Sequence, residues 1–501
     1  MTIDTETGHA SPTRPALAVS ARTWPWLAMA IVLVTAVVLR HMLSASTDVS
    51  WLLTAGERVL AGHRLYADVI ETNPPMAVLA YLPGILIARL LGIAAETAVD
   101  ALVFAAIGAS LALSARVLKR VSVLQPGQGW PLALLAFAVL AVLPTQTFGQ
   151  REHIALIALL PMLVVAVVRS EGSVPSRAEA IVAGLGAAVA LSFKPHFAIA
   201  LLAAWAIPVI ARRSLRVLFG AEVVTVAVAM MLYAALVVIV FPEFLSVITP
   251  LVRDVYLPVH QPLAALLVKP AMWLWALALL TIFTLMRRTR MDAPLQVVLA
   301  ASLGFAVVFV LQRKGWPYHS YPMLALALLG CGWALINQAA KTATDRALGV
   351  GGVIVLAALF ARSMLWFDMA FDARPLQDRV ARLGLAHPAI LAITAEPGIG
   401  HPLVRALAGN SVSRQQALWV ATYLDVMRSE GPIDPAFEVY AIRERAMLLE
   451  DLRRMPPDVV LVDDLTGHAT AWMNAHPETA ALLRDFERVD SVNQVGIWRR
   501  K

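Results

Sequence analysis

Apolar runs of membrane-crossing length recur from Trp24 to Trp366, and no other property of the chain limits its fold as tightly. About 20 consecutive apolar residues wound as a helix match the hydrocarbon thickness of a bilayer. Inside lipid, only helices and closed barrels satisfy their own backbone polar groups. The runs are continuous rather than alternating, which selects helices. Apolar runs and their flanks predict about eleven spans, near 24–44, 98–117, 130–147, 153–169, 178–193, 197–211, 217–240, 266–286, 295–312, 321–338 and 347–366. Only 15% of residues are charged, against about 25% in soluble domains, so a soluble enzyme is excluded. The first run reads as an uncleaved signal anchor behind a disordered cytoplasmic tail, residues 1–23.

Topology follows from where the basic residues fall. With a cytoplasmic N-terminus, five cytoplasmic loops carry Arg116, Lys119 and Arg120; Arg169 and Arg177; Arg212, Arg213 and Arg216; Arg287, Arg288 and Arg290; Lys341 and Arg346. This obeys the positive-inside rule, and the net charge of +7 reports topology before partners. Counting Pro74–Leu91 as a span would spoil that pattern. Its Pro-Pro start and internal Pro83-Gly84 predict an interfacial or re-entrant segment instead, within a first outer loop at 45–97. Trp130, Trp273 and Trp366 read as interfacial anchors. Cys331 is the only cysteine, so there is neither a disulfide nor a thiolate metal site.

The membrane part is expected to end at 366. From 367 to 501 charged residues become frequent and apolar runs shorten, predicting a small α/β domain outside the cytoplasm. Strands are predicted at 388–394, 458–463 and 492–499, with helices at 402–409, 413–429, 437–455 and 469–485. No basic stripe with interleaved aromatics occurs in a soluble segment, which argues against nucleic acid.

The polar clusters of the membrane part fall on one side under this topology. Asp48 follows the first span, ahead of Asp68, Glu71 and Asn73-Pro74-Pro75. A carboxylate at a water–membrane boundary suits a general base; a helix cap, or a counter-ion to Arg58 or Arg64, is the structural alternative. Asp68 and Glu71 are second candidates, as base or metal ligand, although three acids without His spacing do not establish a metal site. Four further clusters sit at span ends: Gln146 to His153, Lys194-Pro195-His196, Arg253 to Tyr256 and Gln312 to His319. Basic groups remaining on the face where they should be scarce need a reason. A lipid phosphate supplies one, with Arg151, Lys194, His196, Arg313, Lys314 and His319 as the donor set. Gln150, Glu152, His153, Tyr256, Trp316 and Tyr318 are candidate substrate contacts. Snorkelling, or pairing with Glu152 and Asp254, is the plainer alternative. Glu396-Pro-Gly-Ile-Gly400 reads as a strand-to-helix turn rather than a phosphate cradle. Glu222, a turn inside the seventh span, has no role legible in the sequence.

Asp48, the segment after it, Gly62, Tyr66, an acid and Asn73-Pro74-Pro75 resemble the first outer loop of the GT-C superfamily of membrane glycosyltransferases. Protein O-mannosyltransferases and aminoarabinose transferases belong to that group. The Gly-Gln-Arg-Glu-His, Lys-Pro-His and Lys-Gly-Trp-Pro-Tyr-His clusters are similar to those of uncharacterised bacterial members. The resemblance places Asp48 at the catalytic carboxylate and Asn73-Pro74-Pro75 at a His-Pro-Pro-like segment, with Asn in place of His. Where many members have two adjacent acids, Val49 follows Asp48. The resemblance implies a polyprenyl-phosphate sugar donor, inverting transfer on the periplasmic face of a bacterial inner membrane, and a glycan, lipid or protein acceptor. Some members use a divalent metal. A transporter or flippase would place ionisable groups at mid-membrane in Gly/Pro-broken spans, and a ligase of lipid-linked glycans would need a large late outer loop, where only 241–265 is available.

Overall fold

The computed structural model describes residues 23–43, 46–338, 342–465 and 469–501; residues 1–22 and Lys341 lie outside them. The membrane part contains α1 (Trp24–Met42), α2 (Thr47–Leu60), α3 (Met76–Leu79), α4 (Leu82–Leu91), α5 (Ala95–Leu118), α6 (Gly129–Ala141) and α7 (Arg151–Ser170). It continues with α8 (Arg177–Phe193), α9 (Ala198–Arg212), α10 (Ala221–Val240), α11 (Pro270–Leu285), α12 (Ala293–Gln312), α13 (Tyr321–Ile336) and α14 (Ala343–Phe367). Among the described residues, eight helices are long and apolar enough to cross a membrane. The protein is a multi-pass membrane protein. The stretch after Pro74-Pro75 forms two short helices, α3 and α4, not one span. Helix α6 stops at Ala141, earlier than expected, because Pro144 and a 3-10 turn at Thr145–Thr147 follow it.

Small residues set the helix spacing. A Cβ added to Gly304 of α12 would lie 2.4 Å from Ala200 Cα of α9, and one on Gly186 of α8 would lie 2.2 Å from the Ala158 carbonyl of α7. Such close approach lets helices pack tightly where lipid offers no hydrophobic drive for association.

Five of the arginines that marked one side of the membrane pair with acids in first turns of neighbouring helices. Arg116 and Arg120 pair with Glu179 of α8, Arg169 with Glu222 of α10, and Arg287 and Arg288 with Asp345 of α14. Acids at helix N-termini and arginines near C-termini both complement the helix dipole. Glu222, unexplained by sequence, is thereby a fully buried partner of the Arg169 guanidinium, which donates to both its oxygens. Trp366 differs from the anchoring role expected of it. It is buried and donates its indole N–H to Ser320 Oγ at 2.9 Å, whereas Trp273 is 61% exposed, as an anchor should be.

The C-terminal part builds one mixed sheet from β1 (Ala389–Ile393), β2 (Asn410–Ser411), β3 (Val459–Asp463), β4 (Phe486–Val492) and β5 (Val495–Arg500). The order is β2-β1-β3-β5-β4, with β2, β1 and β3 parallel and the β4–β5 hairpin antiparallel at the other edge. Continuous apolar stretches in β1 and β3 fit strands covered on both faces. The largely exposed β4 is an edge strand that the sequence reading passed over. The helix expected at 413–429 begins only at Val420, because Ser413 to Trp419 run as an irregular segment across the membrane part.

Gly304→Leu places a side chain where only hydrogen fits. Overpacking costs about 1–3 kcal/mol, so a lower midpoint of thermal unfolding in detergent is expected, while Gly351→Leu, with nothing within 4 Å of its added Cβ, leaves the midpoint unchanged.

Candidate active site

The clusters at span ends converge on one cavity of about 410 Å³ between the membrane helices and the C-terminal part. Helix α2 begins at Ser46, whose hydroxyl accepts from Val49 N, and this cap sets Asp48 in the first turn facing the cavity. Arg151 opens α7, Lys194 follows α8, and Tyr318 and His319 lie in the 3-10 turn Pro317–Ser320 that precedes α13. Helix ends from four sequence-distant places thus meet at one depth.

The charges there alternate. Arg151 Nη2 donates to Asp48 Oδ2 at 2.6 Å, and Lys194 Nζ lies 2.5 Å from Glu152 Oε1 and 3.0 Å from His319 Nε2. Because lysine can only donate, His319 Nε2 accepts, and its proton sits on Nδ1. That Nδ1–H, Arg151 Nε, Glu152 Oε2 and Gln150 Oε1 are buried without a protein partner. Orphaned donors beside a polar cavity are the mark of a ligand site, since a buried unpaired donor is costly to maintain.

Asp48, Gln150, Arg151, Lys194, Tyr256, Trp316, Tyr318 and His319, singled out from sequence, all line the cavity. Glu152 stands directly behind Lys194. The other candidates are placed elsewhere. Glu71 is buried away from the cavity, accepting from the Trp51 indole at 2.6 Å and from Asn73 N at 2.8 Å, so it shapes the loop that presents Asn73. Asp68 caps its own turn by accepting from Arg64 N. His153 uses both ring nitrogens internally, on Gly149 N and the Leu140 carbonyl. His196 packs edge-on against Phe197, and Arg313 donates to the Gln261 carbonyl. Lys314 is held by the carbonyls of Tyr256 and Val259 over the Tyr256 ring, which fixes that aromatic and leaves no ammonium for a phosphate. Among the described residues, no three His, Cys, Asp or Glu side chains gather in a metal-binding group. The acids weighed as metal ligands do not fit one, and Asp48 pairs with Arg151 rather than with Arg58 or Arg64.

Sequence reasoning missed the roof. Glu396, Pro397, Gln416, Trp419 and Tyr423 close the cavity from the C-terminal part, and Gln416 Nε2 donates to Asp48 Oδ1 at 3.2 Å. Tyr423 stacks on Tyr256 at 6.0 Å and 16°, and Trp419 meets Tyr256 edge-on. Trp419 and Tyr423 at i, i+4 were the one local hint. Burial raises the Glu396 carboxyl above its ordinary range, with Asp463 and Asp48 adding to the effect.

Docking of this roof rests on arginines. Arg405 donates to Glu57 at 2.6 and 2.9 Å and to Glu96 at 2.5 Å, and Arg58 donates to the Ser411 and Ser413 carbonyls. Ile70 N donates to the Arg414 carbonyl at 2.8 Å, stitching the first outer loop to the segment before Gln416.

No protein-family model matches the chain, and no curated protein matches its sequence. Solved structures do match it. ArnT from Cupriavidus metallidurans bound to undecaprenyl phosphate aligns over 96% of this chain and 98% of its own, at 14% identity and a TM-score of 0.57. The apo ArnT structure gives 95%, 98%, 14% and 0.57. The arabinofuranosyltransferase AftD from Mycobacteria aligns over 96% of this chain and 40% of its own, at 16% identity and a TM-score of 0.48. This chain therefore has the fold of ArnT over nearly its whole length, with a helical membrane part that carries a C-terminal part built on one sheet.

Arg405→Ala should loosen the roof by about 2 kcal/mol, the scale of charged hydrogen bonds; faster amide exchange in 411–423, with α12 unchanged, is the expected readout. Burial pushes Lys314 down to about 8 from 10.5. The folded chain then binds fewer protons than the unfolded chain between about pH 8 and 10.5, so stability rises with pH across that window. Lys314→Met should remove this part of the rise, seen by comparing unfolding of both proteins at pH 7.5 and 10.

Proposed function

We propose that the protein is a membrane glycosyltransferase that moves a sugar from a polyprenyl-phosphate donor to a hydroxyl of a glycan, lipid or protein acceptor. The observation that carries this reading is the cavity itself. The Asp48 carboxylate faces a group of cationic and N–H donors with unused bonding capacity, at the junction of membrane helices and the C-terminal roof. The ArnT structure of the same fold holds undecaprenyl phosphate.

The chemistry uses these residues in named roles. Arg151 Nε, Lys194 and His319 Nδ1–H meet the donor phosphate and stabilise the charge that builds on it as the glycosidic bond breaks. Asp48 takes the proton of the acceptor hydroxyl. The new C1–O bond forms on the face opposite the departing phosphate, which leaves as lipid phosphate with the bonding pair, and the anomeric carbon is inverted. Donor phosphate competes with Asp48 for Arg151, so Asp48 is released to act as base once the donor is seated. Trp316 and Tyr318, stacked at 5.8 Å, and Tyr256 give the sugar ring apolar faces. Glu152 balances Lys194 and orients it. The wider placement has the N-terminus cytoplasmic and the cavity on the periplasmic side of a bacterial inner membrane, with 24–366 as the membrane domain and 367–501 as the soluble one. The one-sided arginine pairs Arg116–Glu179, Arg169–Glu222 and Arg288–Asp345 support that orientation.

A transporter needs ionisable groups along a mid-membrane path; here the unpartnered groups of the cavity lie at helix ends, which favours chemistry at an interface.

The test is transfer from a panel of labelled polyprenyl-phosphate sugars by the wild type and by Asp48→Asn. Loss of a general base costs about 10²–10⁴ in rate, so Asp48→Asn should fall by that factor while still binding undecaprenyl phosphate. Lys194→Met should instead lose lipid-phosphate binding. Full activity in Asp48→Asn removes Asp48 from the mechanism, and absence of lipid-phosphate binding by the wild type removes the donor class.

A further inference from the structure

The C-terminal sheet has a topological switch. Strand β2 lies on one side of β1 and β3 on the other, all three parallel, so the connections that leave their carboxyl ends diverge. In open α/β sheets the crevice outside the carboxyl ends at such a point is where ligands bind. Here that position holds a second cavity, of about 600 Å³, larger than the first. Its floor is Thr394 and Ala395, just past β1, where Thr394 Oγ donates to Asp463 at the end of β3 at 2.7 Å. Its walls are the helix Val420–Glu430, which follows β2, and the helix Ala469–Asn474, which follows β3.

The crevice is next door to the catalytic cavity. Ala395 lines both, and the helix Val420–Glu430 stands between them, with Tyr423 facing the first cavity and Ala421, Thr422 and Ser429 lining the second. The two cavities thus share a lining residue and lie on either side of one helix.

Its chemistry is that of a neutral, hydroxyl-rich ligand. Arg428 is held by Asp425 and Glu438, and Arg445 donates to Glu478 at 2.8 Å, so neither arginine offers uncompensated charge to an anion. The Thr422 hydroxyl can donate and accept, the Ser429 oxygen, whose proton goes to the Val426 carbonyl, can accept, and the paired carboxylates add further acceptors, which sugar hydroxyls use together. Trp472, partly buried and in ring contact with His476 at 5.7 Å, gives the apolar ring face a platform on the opposite wall.

We propose that this crevice is the acceptor subsite and holds a neutral saccharide, whose reactive hydroxyl extends past Ala395 into the catalytic cavity. The assignment rests on the transferase reading for the word acceptor, but saccharide binding itself does not. The C-terminal part is then a substrate-binding unit as well as a roof.

The test uses the full chain in nanodiscs on a printed array of neutral and acidic oligosaccharides, followed by titration with the best-bound soluble oligosaccharide. Undecaprenyl phosphate binding is measured on the same samples. Capture of neutral oligosaccharides is expected. Trp472→Ala should weaken it by about tenfold, the scale of a lost aromatic contact. Ser429 is exposed at the rim, so Ser429→Trp obstructs the crevice without disturbing a core and should weaken binding at least as much. Both crevice variants should keep lipid-phosphate binding. No captured glycan, capture of acidic glycans alone, or capture unaffected by both variants overturns the proposal. Glycan capture sensitive to both variants, in a wild type that binds no lipid phosphate, upholds the crevice and overturns the transferase reading instead.

Discussion

A buried line of alternating charge, Asp48–Arg151 and Glu152–Lys194–His319, is the contact on which the rest of the molecule depends. Isolated charges at this depth are expensive, and each is tolerated only because its neighbour neutralises it. Pairing also fixes geometry. The amino ends of α2 and α7, the carboxyl end of α8 and the turn before α13 can meet only in the register that closes these pairs. The orphaned Arg151 Nε and His319 Nδ1 belong to the same line, so the pairs that set the geometry also carry the unused donors.

The roof depends on that line and completes it. Gln416 touches Asp48, and Tyr423 and Trp419 pack on Tyr256, which Lys314 holds from behind. Arg58 and Arg405 pin the roof to α2 and α5 through carbonyls and carboxylates. Beside these polar contacts, Leu251 and Val255 of the membrane part pack with Trp419, Val420, Tyr423 and Leu424 in an apolar cluster.

The two cavities differ in chemistry. The one at the membrane gathers unused donors, which suit a phosphate. The one at the sheet's switch point pairs every arginine on its walls with an acid, which suits hydroxyls. One helix separates the two cavities, and Ala395 lines both.

Much of the membrane part was legible in the sequence, because a bilayer imposes one rule on every spanning segment: about 20 apolar residues and helical hydrogen bonding. The same logic exposed Asp48, Arg151, Lys194 and His319, since charge beside such a run demands a cause. What the sequence could not rank was which charges share a cavity. Arg313, Lys314 and His196 have the same composition and the same span-end position as Arg151 and Lys194, and only the packing of distant helices turns the former onto backbone carbonyls and rings. Glu71 and His153 likewise looked reactive, and tertiary contacts made them scaffolding. Gln416, Glu396 and the crevice beyond Ala395 left no local trace, because a cavity between a roof and a bundle is a property of docking. Local patterns record what a segment needs from lipid or water; which segments meet is decided by long-range pairing of charge and shape, and that only the tertiary structure holds.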